Sequence, residues 1–233
     1  MQRLLVLLLL AACASAPRSG AEAAGPRVRV DRADQLPVHR YPLTGPIGDL
    51  VVDPAAFARF AGPLRADMER DLARFDIHDP ESLKDRLFIL AVLDALDDRW
   101  PEALARIDQI AAVETKPADK AMTGLTIRVW TDAIAHGGTP DAFRAALDRK
   151  LATMPIDLVR NDLSTLRTMG QVFTPAFCRQ LVESEIGSHL DNGALSLEQA
   201  HAIAFQRYAV VRLVPVASAI DQAIGALGIE PQK

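Results

Sequence analysis

Aromatic side chains are scarce in this chain, only 5 % of its 233 residues, while alanine and leucine abound. Strands favour β-branched and aromatic residues, so this balance argues for closely packed helices over sheets. Basic clusters are missing too. With 26 Lys and Arg against 30 Asp and Glu the net charge is −4, and no basic block stands out. Nucleic-acid backbones need clustered Lys and Arg, so the composition argues against a nucleic-acid partner and equally against a polybasic membrane surface. No apolar run reaches the ~20 residues that a membrane-spanning helix requires. Chemical signatures are equally thin. There is no His-Glu-x-x-His pair, no Gly-x-Ser-x-Gly elbow and no phosphate-cradling glycine loop.

What is present begins with an address. Arg3 supplies a short positive region, Leu4 to Leu10 an unbroken apolar run, and small residues follow. The tail Leu10-Ala11-Ala12-Cys13 resembles the bacterial lipobox, in which cleavage falls just before an acylated cysteine. That resemblance implies removal of residues 1–12 and a lipid on Cys13, with the two or more acyl chains that stable anchoring takes. Ala14, which is not the Asp of inner-membrane retention, then points to an outer-membrane lipoprotein facing the periplasm. The alternative is ordinary cleavage after Ala16 or Ala14, giving a soluble periplasmic or secreted chain; Pro17 disfavours the first of these sites.

Loss of Arg3 with the signal makes the balance 25 basic against 30 acidic residues, or −5. About 220 residues remain, enough for one sizeable core. Residues 13–26 read as a lipid-anchored flexible tether of Ala, Ser, Pro, Gly and a few charges. Residues 27–52 read as short extended pieces packed on the body, with Val28, Val30, Val38, Tyr41 and Ile47 among prolines and glycines. Residues 53–233 read as a single helical domain.

The punctuation from Asp53 onward is helical. Asp53-Pro54, Asp79-Pro80, Thr139-Pro140 and Thr174-Pro175 each pair an N-cap acceptor with proline at the first helical position. Ser196 and Gln199 form a capping box. Gly137-Gly138, Gly170 and Asn192-Gly193 read as stops. Apolar residues keep helical spacing at Phe57, Phe60, Leu64, Met68, Leu72 and Phe75; at Met122, Leu125, Val129 and Ala133; and at Phe143, Leu147, Leu151 and Met154. Gly62-Pro63 predicts a kink, and Pro215 a bend or an end in the helix that starts at Ser196. The expected fold is all-α, with about eight helices and a short extended N-terminal segment. The helices form either tetratricopeptide-like hairpins or an irregular bundle. Residues 87–113 carry the hairpin signal, with a tight Asp97-Asp98-Arg99 turn before Trp100-Pro101-Glu102-Ala103-Leu104. A weaker echo follows through Gly137-Gly138 and Ala142.

No cofactor and no metal site is expected. The five histidines are His39, His78, His136, His189 and His201, and no two share i, i+4 spacing on a helix. His78 lies between Asp76 and Asp79, yet Asp79 already serves as a cap. His201 shares a stripe with Leu197, Ala204 and Tyr208 and reads as a hydrogen-bonded core residue. His136-Gly137-Gly138-Thr139 superficially resembles an oxyanion loop or a subtilisin histidine, but a helix stop and a Thr-Pro cap account for it. Cys178 follows Phe177 on a stripe with Leu181, Val182 and Ile186, which predicts a buried, inert thiol. Asp94, Asp97 and Asp98 read as a solvated inter-helix turn, without the glycine-containing loop that calcium ligation uses.

Several short pieces carry a family resemblance: Asp76 to Lys84, Trp100 to Leu104, Glu114 to Lys120 with Thr123-Gly124-Leu125, and Arg207-Tyr208-Ala209. Together they resemble the helical region that precedes the catalytic domain in some bacterial secreted subtilisin-like serine proteases, over roughly Tyr41 to Ala226. The resemblance covers none of the Asp-His-Ser catalytic domain, which is expected to be missing here, so no catalytic residue carries over. The resemblance implies a pro-region-like accessory module, whose partner is a protein or peptide, including a subtilisin-like protease. The expectation is thus a non-catalytic interaction module, touching the membrane through its lipid alone. The rival expectation is an enzyme whose site is assembled from scattered polar residues.

Overall fold

A computed structural model describes residues 26–114 and 128–228. The signal, Cys13 and most of the tether lie outside the described residues. So do Met122, Leu125, Pro117 and the segment from Thr115 to Leu125 on which part of the resemblance rests.

The described chain is all-α apart from four very short strands. In order it runs β1 (Val28–Val30), a 3₁₀ turn (Ala33–Gln35), β2 (Tyr41–Pro42), α1 (Asp49–Val52), α2 (Pro54–Arg74), β3 (Phe75–Ile77), α3 (Pro80–Leu96) and α4 (Trp100–Val113). A helix at 128–135, here α5, follows. Then come α6 (Pro140–Leu151), α7 (Ile156–Val172), α8 (Pro175–Leu181), β4 (Ala194–Leu195), α9 (Leu197–Tyr208) and α10 (Val214–Ala226).

The local signals act where they stand. Asp53, Asp79, Thr139 and Thr174 each accept a hydrogen bond from a first-turn backbone N–H, and Ser196 with Gln199 closes the capping box. Gly137 and Gly138 adopt positive φ, and the Gly138 N–H bonds back to the Ala133 carbonyl, a five-residue reach that closes the α5 C-terminus. Asp98, at φ 58°, does the same for α3 through Arg99 N–H and Asp94 C=O. Asn192 and Gly193 both take positive φ in the turn leading to β4.

Three expectations need correction. Gly170 does not stop α7, which continues to Val172. A Cβ there would lie 2.8 Å from Ala217 Cβ and 3.1 Å from Leu213 O, so the absent side chain lets α7 and α10 cross closely. At Pro215, where a bend or an end was expected, the helix does not end. A π turn at Ala209–Leu213 precedes it and α10 continues, consistent with wider local spacing that offsets the missing N–H and ring clash. The resulting run, Leu197–Ala226, is long and apolar enough by length and composition to cross a membrane, against the expectation that no segment would be. In this fold it packs on α1, α3, α6 and α7. Finally, Asp49–Val52 of the segment expected to be extended is helical.

The main core is built from the stripes. Leu64 and Met68 of α2, Ile89, Leu90 and Leu93 of α3, Phe143 and Leu147 of α6, and Leu163 and Leu166 of α7 are almost fully buried. Each such side chain removed from water contributes roughly 1.5–3 kcal/mol against the entropy of ordering it. The α3–α4 pair is the hairpin that its sequence signals, with Ala103 at 1 % exposure where the two helices meet. Two arginines of the α9–α10 run cap other helices. Arg207 Nη1 donates to the carbonyls of Val51 and Val52 at 2.9 and 3.0 Å, and Arg212 Nη2 to those of Ala95 and Leu96 at 3.2 Å. Arg212 also lies 5.3 Å from the Trp100 ring centre.

The extended N-terminal segment is fastened at two places. Val28, Arg29 and Val30 pair in parallel with Phe75, Asp76 and Ile77, and Tyr41 pairs antiparallel with Leu195. Val30, Leu36, Phe75 and Ile77 form a satellite apolar cluster beneath the first fastening. Residues 34–40 thereby bridge across the body and form one wall of a groove.

Candidate functional site

The groove has two lobes. The first, about 500 Å³, lies between residues 33–40, the N-terminal half of α3 and the start of α9, with His39, Asp85, Arg86, Glu198 and His201 among its polar lining. The second, about 440 Å³, continues past Arg40, Ser196 and Glu198, which line both, to Glu185, His189 and Asp191. Three of the five histidines therefore face one groove. In the sequence His39 lies far from His189 and His201, and the three share no helical spacing.

The floor is rigid. Arg86 is 4 % exposed, its Nε donating to Asp71 Oδ2 at 2.8 Å and its Nη1 to the Ser82 carbonyl at 3.0 Å. The same Asp71 oxygen lies 2.9 Å from His39 Nε2, while His39 Nδ1 faces Asp67 at 3.4 Å. Arg86 and His39 thus share one buried carboxylate of α2. A buried pair of this kind adds little net stability but is costly to break. It ties the extended segment, α2 and α3 to one another, and so fixes the shape of the first lobe.

The wall is more exposed. His201 stands on α9 beside Phe88, with ring centres 4.7 Å apart, and its Nδ1 is 3.9 Å from Asp85 Oδ1. This corrects the core assignment of His201: its side chain is 31 % exposed and faces the groove. Burial pushes the His201 imidazolium below its ordinary range, opposed by Asp85 and Glu198. Burial likewise raises the Asp85 carboxyl above the usual carboxylate range. Both shifts favour the neutral form, because each group loses water that the other does not fully replace.

The other candidates fall elsewhere. His78 is exposed and sits 3.0 Å from Asp76 on β3, while Asp79 caps α3. His136 closes α5, its Nδ1 2.6 Å from the Asp132 carbonyl oxygen. Cys178 is fully buried beside α1, and burial pushes its thiol up to about 11; the neighbouring Arg179 turns away to Asp49 at 3.2 Å. Asp94 corrects the reading of a solvated turn. It is 1 % exposed and ringed by Arg65 at 2.5 Å, Arg99 at 3.5 Å and Arg106 at 3.8 Å, while Asp97 and Asp98 pair with Arg65 and Arg212. Among the described residues no group of three or more His, Cys, Asp or Glu side chains is arranged to hold a metal ion.

Sequence reasoning passed over His39, Asp71, Arg86 and Asp85. The one available signal was the density of charge on α2 and α3, where Asp71 and Arg86 fall on otherwise apolar faces. A comparison with protein-family profiles, curated proteins and solved structures returned no match.

Proposed function

We propose that the chain is a non-catalytic, exported helical interaction module, held at the periplasmic face of the outer membrane through a lipid on Cys13. In this reading the groove beside α3 and α9 receives a segment of a protein partner, and the resemblance noted above makes a subtilisin-like protease the partner to test first. The observation that carries the reading is the groove itself. Its two neighbouring lobes are open to solvent and share Arg40, Ser196 and Glu198, which suits a segment of chain better than an enclosed small molecule. Short stacked helical hairpins supply such surfaces without any reactive group.

The tether is tested by labelling. Palmitate should enter the wild-type protein and not Cys13→Ala, and equal labelling of both would overturn the lipid assignment. Partnership is tested by capture with Cys13→Ala as bait. A co-purifying subtilisin-like protease, burying of order 1,200–2,000 Å² in a stable complex, supports the reading. Consistent recovery of an unrelated protein in its place refutes the protease link.

One observation favours a second reading, an enzyme. The Asp85–His201 pair faces the groove with both groups displaced by burial, the usual setting for acid–base work. Hydrolysis of peptide or ester substrates that is lost in His201→Gln would decide for it.

A further inference from the structure

The groove's charges are uneven, and that imbalance identifies its occupant. Asp34, Asp85, Glu185, Asp191 and Glu198 line the two lobes against two guanidiniums, Arg40 and Arg86. Arg86 is already neutralised by the buried Asp71 beneath it. Arg40 reaches from the junction of the lobes to Asp191, 3.8 Å away. Asp85, Glu185 and Glu198 are left with no Lys or Arg nitrogen within 4 Å among the described residues, and Asp85 has only the His201 ring at 3.9 Å.

We propose that the groove binds an extended basic peptide segment, whose Lys or Arg side chains pair with Asp85 and Glu198 in the first lobe and Glu185 in the second. This deepens the interaction-module reading and rests on it. Three features beyond the carboxylates support it. The two lobes share Arg40, Ser196 and Glu198 in their linings, so they lie side by side where one peptide can touch both. The chain's own Arg40 sets a guanidinium 3.8 Å from the lining Asp191, the kind of pairing an incoming basic residue would repeat. The burial that holds Asp85 partly back from ionising would be relieved by an incoming cation.

The test uses three fluorescein-labelled pentapeptides of one frame, Gly-X-Ala-X-Gly, with X as Arg, Ala or Glu, and follows anisotropy on titration with the purified chain. The Arg peptide should bind at least tenfold more tightly than the Ala peptide, and the Glu peptide should not bind. Binding should weaken as salt rises from 50 to 300 mM. It should also weaken about tenfold in Asp85→Asn/Glu198→Gln, whose far-ultraviolet dichroism and melting temperature check that it folds. A second folded variant, Asp157→Asn on α7 outside the groove, should change affinity less than threefold. Equal binding of the Arg and Ala peptides would overturn the basic-segment proposal while leaving a binding module in place. Tighter binding of the Glu peptide, or full Arg-peptide affinity in the double variant, would overturn it too. Cleavage of the Arg peptide would overturn the non-catalytic reading and leave the basic-segment assignment standing.

Discussion

Gly170→Ala offers the sharpest test of how α7 and α10 cross. Gly170 sits inside a helix with ordinary helical backbone, so alanine there gains roughly 0.8–1.0 kcal/mol of intrinsic helix preference. Against this, the new Cβ would meet Ala217 Cβ at 2.8 Å and the Leu213 carbonyl oxygen at 3.1 Å. Carbon atoms pack best at about 3.5–4.0 Å, and neither neighbour is the free end of a flexible side chain. Overpacking of this kind costs ~1–3 kcal/mol. The net expectation is a loss of about 0–2 kcal/mol. Gly225→Ala supplies the control, since nothing lies within 4 Å of its added Cβ in α10. It should stabilise by up to about 1 kcal/mol, so the two variants should differ by ~1–3 kcal/mol in urea unfolding. Combining Gly170→Ala with Ala217→Gly should cost less than the sum of the two single changes, because the Cβ–Cβ clash disappears. If Gly170→Ala stabilises as much as Gly225→Ala, the close crossing is wrong.

Two further expectations follow from burial. Cys178 should react with a thiol reagent only on unfolding, since its sulfur is fully buried and its thiolate disfavoured; Cys178→Ser should cost on the order of 1–2 kcal/mol by burying a hydroxyl, and rapid labelling of the native protein would refute the packing. Asp85 is held above its unfolded range, so the folded state binds its proton more readily and stability falls as pH rises through that window. Asp85→Asn should therefore raise the melting temperature at pH 7 and have little effect near pH 3, where the carboxyl is neutral in both states. An unchanged or lowered melting temperature at pH 7 would count against the strained carboxylate.

Much of the fold was legible in the chain because helix signals are local. An N-cap acts within three residues and a glycine stop within five, so Asp53, Asp79, Thr139, Thr174, Ser196 and Gly137-Gly138 could be read without knowing what lies across the core. The stripe through Leu64 and Met68 and the burial of Cys178 followed from a 3.6-residue period alone. Gly170 was misread because a glycine that ends a helix and one that admits a neighbouring helix look alike until the neighbour is placed. Asp94 and His201 were misread for the same reason: whether a charged or titratable group meets arginines, a core or a groove depends on helices far away in sequence. The groove itself joins residues 34–40, 82–86 and 185–202, three segments that share no local pattern. Capping and periodicity set which residues are helical and which way each helix faces; only long-range packing, with the extended segment pinned at Val28–Val30 and Tyr41, decided which polar faces came to stand opposite one another.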